Sequence, residues 1–255
     1  MQPSLRLLYR LYYGKARRIV RAVLRRFLQQ RRRVFLGPLR GWVCEGNLEN
    51  VLGIYELHVQ QVFHTTLMQG DVVYDVGGHH GYQSLLASKL VGDTGQVYVF
   101  EPLPENRDAI ARVVSANDCR NCSVVGAAVS DRVGRTPLFL GINDTQPSLL
   151  TEQGLSVIVE TTTLDGFASG HRRPTLVKID VEGAEHLVLL GARHLLETDP
   201  PITWVIELHT SAIREPVRRM LHDHRYQVED LPPVIPRPSS SVRHIIARRT
   251  GLGRH

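Results

Sequence analysis

The chain of 255 residues carries 31 Lys and Arg against 25 Asp and Glu, with 42% hydrophobic residues, 6% aromatics and three cysteines. That composition excludes a disordered chain, a fibrous repeat and a small disulfide-stapled scaffold, and it suffices for one α/β domain of ~200–250 residues or two smaller ones. An odd, small number of cysteines fits a reducing compartment, no run reaches the ~18 apolar residues that span a bilayer, and Arg interrupts the N-terminal segment where a signal peptide needs an apolar stretch, so a cytoplasmic protein is expected.

The charge is unevenly placed. Residues 1–40 hold 12 of the basic residues and no Asp or Glu, which leaves 19 basic against 25 acidic in the rest. Basic charge confined to an arm does not mark a nucleic-acid-binding body, so nucleic acid is not expected as a partner. Helical spacing places Ile19, Val20, Val23, Leu24 and Phe27 on one face and Arg17, Arg18, Arg21 and Arg25 on the other, with Tyr9, Tyr12 and Tyr13 upstream. Two readings of this basic amphipathic helix stay open: it docks on protein, either its own domain or a partner, or it lies peripherally on an anionic membrane surface. The expected organisation is therefore an arm, residues 1–40, and a single domain, residues 41–255.

Within that domain strands and helices alternate. Val72–Val76 reads as a short strand ending in Gly77-Gly78, followed by a helix from Tyr82 to Leu90. Gln96–Glu101 is a second strand closed by Pro102, and Pro104–Ala116 a helix with proline at its start. A third strand runs from Ser123 to Ala127. Pieces around Pro137–Leu140 and Ser156–Thr162 read as a hairpin bearing an insertion on the substrate side. Then come a strand at Thr175–Asp180, a helix at Ala184–Leu196, a strand at Thr203–Glu207 and a helix at Glu215–His224. Tyr226–Glu229 and Val242–Ala247 have no helix between them and should pair antiparallel at one edge, with the Pro- and Ser-rich residues 232–241 as a connection. The pattern predicts a doubly wound, mainly parallel α/β sheet with ligands at the carboxyl ends of its strands.

Those strand ends gather glycines and acids. Asp75-Val-Gly77-Gly78-His79-His80-Gly81 lets backbone approach a ligand that a Cβ would block. It matches neither the dinucleotide spacing nor a phosphate loop, which disfavours an NAD-dependent enzyme. Glu101, 20 residues beyond Gly81, is placed to accept hydrogen bonds from both hydroxyls of a ribose, although a helix-capping role explains the position as well.

These residues resemble the FkbM-type S-adenosylmethionine-dependent methyltransferases. Asp75 to Gly81 is similar to the family's first cofactor loop, Phe100-Glu-Pro102 to its ribose-binding strand end, and Ala127-Ala-Val-Ser-Asp131 to its segment near the adenine. Thr162-Thr-Leu-Asp165, Lys178-Ile-Asp-Val-Glu-Gly-Ala-Glu185 and Glu207-Leu-His209 resemble its later signatures, and the likeness runs from about Tyr55 to His209. It implies a seven-stranded, Rossmann-like class I methyltransferase domain with an antiparallel C-terminal strand. It also implies S-adenosyl-L-methionine as cofactor, with Asp75, Gly77, His79, Gly81, Glu101, Pro102, Ser130 and Asp131 at the cofactor. The implied reaction is methylation of a hydroxyl on a sugar or other small natural product. His79 stands where similar proteins most often carry Asn; histidine, like Asn, tolerates left-handed backbone.

Methyl transfer to an alcohol needs alignment of donor and acceptor and a base for the proton. His209, with an ordinary pKa of ~6.5, suits that task, and Asp180 or Glu182 are the alternatives. Asp180 can also bind a metal together with Glu182, or Glu182 and Glu185 can cap their helix; no metal ligand set is assigned. Glu56 resembles a family position near the active site. Cys119 and Cys122 read as incidental loop cysteines. The rival from another class is a non-catalytic protein that keeps the cofactor fold and is recruited through its basic arm.

Overall fold

The computed structural model describes residues 31–140, 155–234 and 242–249. The amphipathic helix expected within residues 1–30 lies outside them, as do residues 141–154 of the insertion and most of the Pro- and Ser-rich connection. No helix among the described residues is long and apolar enough to cross a membrane.

The chain divides into two compact units after Tyr55 rather than after residue 40. Backbone pairing explains the later division. Strand β1 (Arg32–Arg33) pairs antiparallel with β2 (Val43–Cys44), and the Phe35 amide donates to Val51 O at 2.8 Å, so residues on both sides of position 40 fold together. Helix α1 (Leu48–Leu52) starts with a reciprocal cap, in which the Asn47 and Asn50 side chains each accept the other's backbone N–H at 3.1 Å. Two donors that a helix start leaves without partners are thereby satisfied.

The second unit, from Glu56 onward, holds the α/β sheet. Its strands are β3 (Val72–Val76), β4 (Gln96–Phe100), β5 (Cys122–Val125), β9 (Leu176–Ile179), β10 (Thr203–Leu208), β11 (Gln227–Leu231) and β12 (Arg243–Arg248), in the order β11-β12-β10-β9-β3-β4-β5. Neighbours from β10 to β5 run parallel, and β12 is antiparallel to both β10 and β11. Every residue of β3 and β9 is buried, as befits central parallel strands with apolar cover on both faces. Helices α2 (Leu57–Thr66), α3 (Tyr82–Val91) and α4 (Pro104–Ala116) alternate with the first strands. The order turns back at β3, so the carboxyl ends of β3 and β9 lie side by side at the switch point, where a parallel sheet opens a crevice for ligands. Three short strands, β6 (Ala128–Val129), β7 (Gly134–Phe139) and β8 (Ser156–Thr162), form a separate sheet in the order β6-β8-β7. Its β7–β8 pair is the expected hairpin.

Two elements differ from expectation. Helix α8 (Ser211–Asp223) begins a turn before Glu215, because Ile213 is buried and extends the apolar stripe of Val217 and Leu221 upstream of Pro216. The single helix expected over Ala184–Leu196 is two short ones, α6 (Glu185–Leu190) and α7 (Arg193–Glu197). Between them Gly191 presses on the main chain after β6, where a Cβ would meet Ser130 O at 2.1 Å. Asp165, in α5 (Leu164–Ala168), then accepts the amides of His194 and Leu195 at 2.9 Å each, providing α7 with a cap of its own. A helix start supplied with this partner has no need of the preceding turn.

The close approach at Gly191 yields a test. Gly191→Ala should destabilise the fold by about 1–3 kcal/mol, the cost of overpacking against rigid backbone, measured as a lower urea midpoint with an unchanged slope. A midpoint equal to wild type would mean that Ser130 yields freely.

Candidate active site

The loop after β3 is fixed by main-chain bonds and by the absence of side chains. Gly77 and Gly78 donate to Phe100 O at 3.0 and 3.2 Å. A Cβ on Gly77 would lie 1.9 Å from Asp180 O, and one on Gly78 would lie 2.2 Å from Val99 Cγ1. The loop therefore lies directly on the ends of β4 and β9, and its left-handed residues Gly77, His79 and Gly81 (φ +85°, +49° and +78°) turn it into α3. His79 keeps the expected backbone conformation. Burial, then the His80 ring beside it, pushes its imidazole down to about 4, so a neutral ring occupies the position.

Of the roles expected for Glu101 the structure shows the one at the helix start, and it adds a bond to the glycine loop. Its Oε1 accepts the Leu103 amide at 3.0 Å, at the start of α4, and its Oε2 accepts the His79 amide at 2.9 Å. The carboxylate, 4% exposed, thus braces the glycine loop from the neighbouring strand. Burial pushes its pKa up against these bonds and one from Asn106; a carboxylate offers about four acceptor positions, so capacity for a further donor remains. Beside it, Pro102 O accepts from Arg107 at 2.7 Å. Ser130 follows β6, gives its amide to Thr162 O and its hydroxyl to Asp131 Oδ1 at 3.1 Å. A cradle that a Cβ would fill, next to a buried carboxylate, fits a nucleoside-bearing cofactor.

Charge is concentrated across the switch point. Asp75 on β3 and Lys178 on β9 are register partners, and Lys178 Nζ lies 3.4 Å from Asp75 Oδ1 and 3.2 Å from Asp180 Oδ2. Burial works against the ammonium, but Asp180 and Asp75 hold its pKa well above the usual lysine range. Burial would also raise Asp180; Lys178 and His209 outweigh it and bring Asp180 down to about 2. The other oxygen of Asp75 accepts the Ser84 hydroxyl.

His209, just beyond β10, joins the three residues proposed from sequence for the chemistry. Its Nε2 is 3.2 Å from Glu182 Oε2, 3.5 Å from Asp180 Oδ1 and 3.9 Å from Glu207 Oε1, and its Nδ1 is 2.7 Å from Glu185 Oε1. Burial alone would lower its pKa, but hydrogen bonds to Glu182 and Glu185 and the charge of Asp180 lift it to about 11. The expectation of a histidine with an ordinary pKa is thereby corrected: the ring is an imidazolium at neutral pH, a donor to carboxylates rather than an acceptor. Glu182 stands in left-handed backbone (φ +55°) in the turn before α6. Glu185 is wholly buried and accepts the Gly183 amide as well as His209, so it bonds the turn rather than the helix start.

A second group sits behind the first. Glu207 Oε2 is 3.4 Å from His244 Nε2, which is 3.8 Å from Glu56 Oε1, and Gln83 donates to Glu56 Oε2 at 3.2 Å. The His58 ring packs edge-on against His244. Burial first, then the charge of Glu207, raises Glu56 to about 7; burial first, then the charge of Asp180, raises Glu207 to about 8. Glu56 stands out in the sequence, whereas His244 does not. Its one signal is a histidine within the apolar strand β12, directly opposite Glu207 in the register with β10.

The profile of the family described as the methyltransferase FkbM domain matches residues 75–228. No curated protein sequence is significantly similar to the chain. Among solved structures, an FkbM methyltransferase from Methylobacillus flagellatus is similar at 16% identity and a TM-score of 0.54, over 91% of this chain and 60% of that one. A SAM-dependent O-methyltransferase from Thermotoga maritima gives 11% identity and 0.53, over 89% of this chain and 80% of that one. A precorrin-6y C5,15-methyltransferase from Geobacter metallireducens gives 16% and 0.52, over 77% and 90%. At such identities the likeness speaks to the fold.

The buried carboxylates make stability depend on pH. Glu56 carries a folded-state pKa of about 7 against 4.5 when exposed, so the fold favours its protonated form. Its contribution is most favourable below 4.5, and the cost of ionising it builds up as pH rises to about 7. Glu56→Gln keeps an acceptor for Gln83 and removes that cost. Relative to wild type the variant should be more stable at pH 8 than at pH 4.5, by about 3 kcal/mol, in urea titrations at both values. An equal difference at the two values would contradict the raised pKa.

Proposed function

The chain belongs to the FkbM methyltransferase family, and on that premise we propose that it methylates a hydroxyl of a sugar or other small natural product. It is a methyltransferase of the class I α/β fold, and its cofactor is S-adenosyl-L-methionine. One observation carries the proposal: the glycine loop is seated directly on Asp180, so the cofactor cradle and the acidic cluster open on one crevice.

When bound, the cofactor supplies an electrophilic methyl group on a sulfonium. The chain's part is to hold that group, align an alcohol with it and accept a proton. Gly77 and Gly81 let the loop backbone come close, Glu101 receives the ribose hydroxyls, and Pro102, Ser130 and Asp131 line the remainder with His79 in the loop, while Asp75, buried against Lys178 and Ser84, positions the strand end beneath them. Asp180 and Glu182 receive the hydroxyl proton, the former kept ionised by Lys178. His209, being a cation, orients both carboxylates instead of accepting the proton.

Two substitutions separate binding from chemistry. Glu101→Ala should weaken cofactor binding by about 1.5–3 kcal/mol, as expected when hydrogen bonds to a charged acceptor are lost, and calorimetry with S-adenosylmethionine measures it. Asp180→Asn should lower turnover about 10²–10⁴-fold with cofactor affinity near wild type. Turnover within a few-fold of wild type would remove Asp180 as proton acceptor. The acceptor class is tested by incubating the full chain with methyl-labelled cofactor and hydroxylated small molecules. Cofactor binding without label transfer to any of them would favour the non-catalytic rival.

The partners follow from the same reading: a small hydroxylated acceptor in the crevice, and an anionic membrane surface or a protein for residues 1–40. Their basic charge and the acidic remainder support a cytoplasmic protein that is peripheral on the membrane, each basic residue near anionic lipid contributing on the order of 1 kcal/mol. Vesicle sedimentation should show salt-sensitive binding to anionic but not neutral lipid, lost when Arg17, Arg18, Arg21 and Arg25 are replaced by Gln. Equal binding to both lipids, or none, would exclude the membrane role.

A further inference from the structure

We propose that the loop Phe35-Leu36-Gly37-Pro38, between β1 and β2, is a wedge that enters the outer layer of an anionic lipid bilayer. The inference rests on the reading of residues 1–40 as facing a membrane, and it names the segment that meets apolar lipid and how that segment is held. Phe35 is 71% exposed and Leu36 37%, while Val34 and Leu39 on either side of the loop are buried. Single apolar side chains at a surface need no explanation; this pair differs in being fixed there.

Main-chain bonds prevent the loop from folding back over its own side chains. Val34 and Gly41 close the hairpin, the Val34 amide donating to Trp42 O and the Gly41 amide to Val34 O, each at 2.8 Å. The Arg40 amide donates to Gly37 O at 3.1 Å across the tip, and the Phe35 amide is tied to Val51 O in α1. Leu36 O is seated so closely on Gly53, just beyond α1, that a Cβ there would meet it at 2.0 Å. An aromatic ring held outward in this way has little order left to lose when it is buried against a partner.

The surrounding charge selects the partner. Arg31, Arg33 and Arg40 are exposed, and Arg33 Nη1 donates to Gly41 O at 2.7 Å, which keeps that guanidinium beside the loop. No Asp or Glu precedes Glu45, and the two acids of the first unit, Glu45 and Glu49, are both buried. Exposed charge among the described residues of this unit is therefore wholly positive. Two apolar side chains fall far short of the about 1,200 Å² that a stable protein interface buries. A bilayer asks less, because an apolar tip needs to enter only ~5–10 Å while arginines remain at the headgroups.

The experiment is sedimentation of the full chain with phosphatidylcholine vesicles that contain phosphatidylserine. Phe35→Ser should weaken binding about 10-fold, as expected when most of an aromatic side chain no longer leaves water. Phe35→Trp should retain the affinity, and its emission should be quenched by brominated acyl chains beyond the quenching seen in wild type, where Trp204 is fully buried and Trp42 sets the baseline. Val133→Ser, at a side chain 73% exposed on the second unit, should leave binding unchanged. Equal binding by wild type and Phe35→Ser, equal weakening by Phe35→Ser and Val133→Ser, or no added quenching in Phe35→Trp would overturn the wedge. Each of those results leaves lipid binding by the basic arm standing, whereas a wild-type chain that ignores the vesicles removes both. The quenching is a gained signal, so the outcome does not depend on whether Phe35→Ser folds.

Discussion

The Lys178 ammonium, buried between Asp75 and Asp180, ties the two halves of the sheet together where its order reverses. An ion taken out of water costs several kcal/mol unless it is well paired, and this lysine recovers that cost only if β3 and β9 keep their register to within one residue. The pairing also fixes what lies above it. Asp180 is drawn to one side, its carbonyl supports the glycine loop, and its second oxygen remains available to the His209 cluster. Replacing the whole triad by apolar residues would preserve a sheet; the shape of the crevice would be lost.

Behind that pair the site is built in layers that share carboxylates. Glu207 stands between His209 and His244, and Glu185 between His209 and the turn at Gly183. Burial and the charge of neighbouring acids raise Glu56 and Glu207 together, so these two share protons and titrate as a pair. Such a group takes up and releases charge near neutral pH with little movement, a property expected of functional sites and not of a packed core.

The strand and helix pattern is readable because each element repeats a simple period: β3, α3, α4 and β8 lie within a residue of where alternation and proline place them. The Ala184–Leu196 segment departs from its expected single helix because nothing in its own sequence reveals that Ser130 presses on Gly191 or that Asp165 caps His194 and Leu195, contacts made across the fold. The same limit applies to the site. Asp180, Glu182 and His209 are visible as strand-end residues, whereas the pKa of His209 depends on Glu185, and the place of His244 on its pairing with Glu207, 37 residues before it in sequence. Local spacing names the groups, and tertiary contact sets their charge.

Strand β12 enters between β10 and β11 and carries His244 to Glu207. A chain made from its N-terminus must therefore leave β10 with an open edge, and β11 with no neighbour, until residues 243–248 have emerged. Non-local pairing of this kind is slow, and exposed strand edges invite association with other chains. The consequence is temporal. The glycine loop, Glu101 and Lys178 belong to strands made earlier in the chain, while the inner acid cluster acquires its last member only after residues 243–248 have been made.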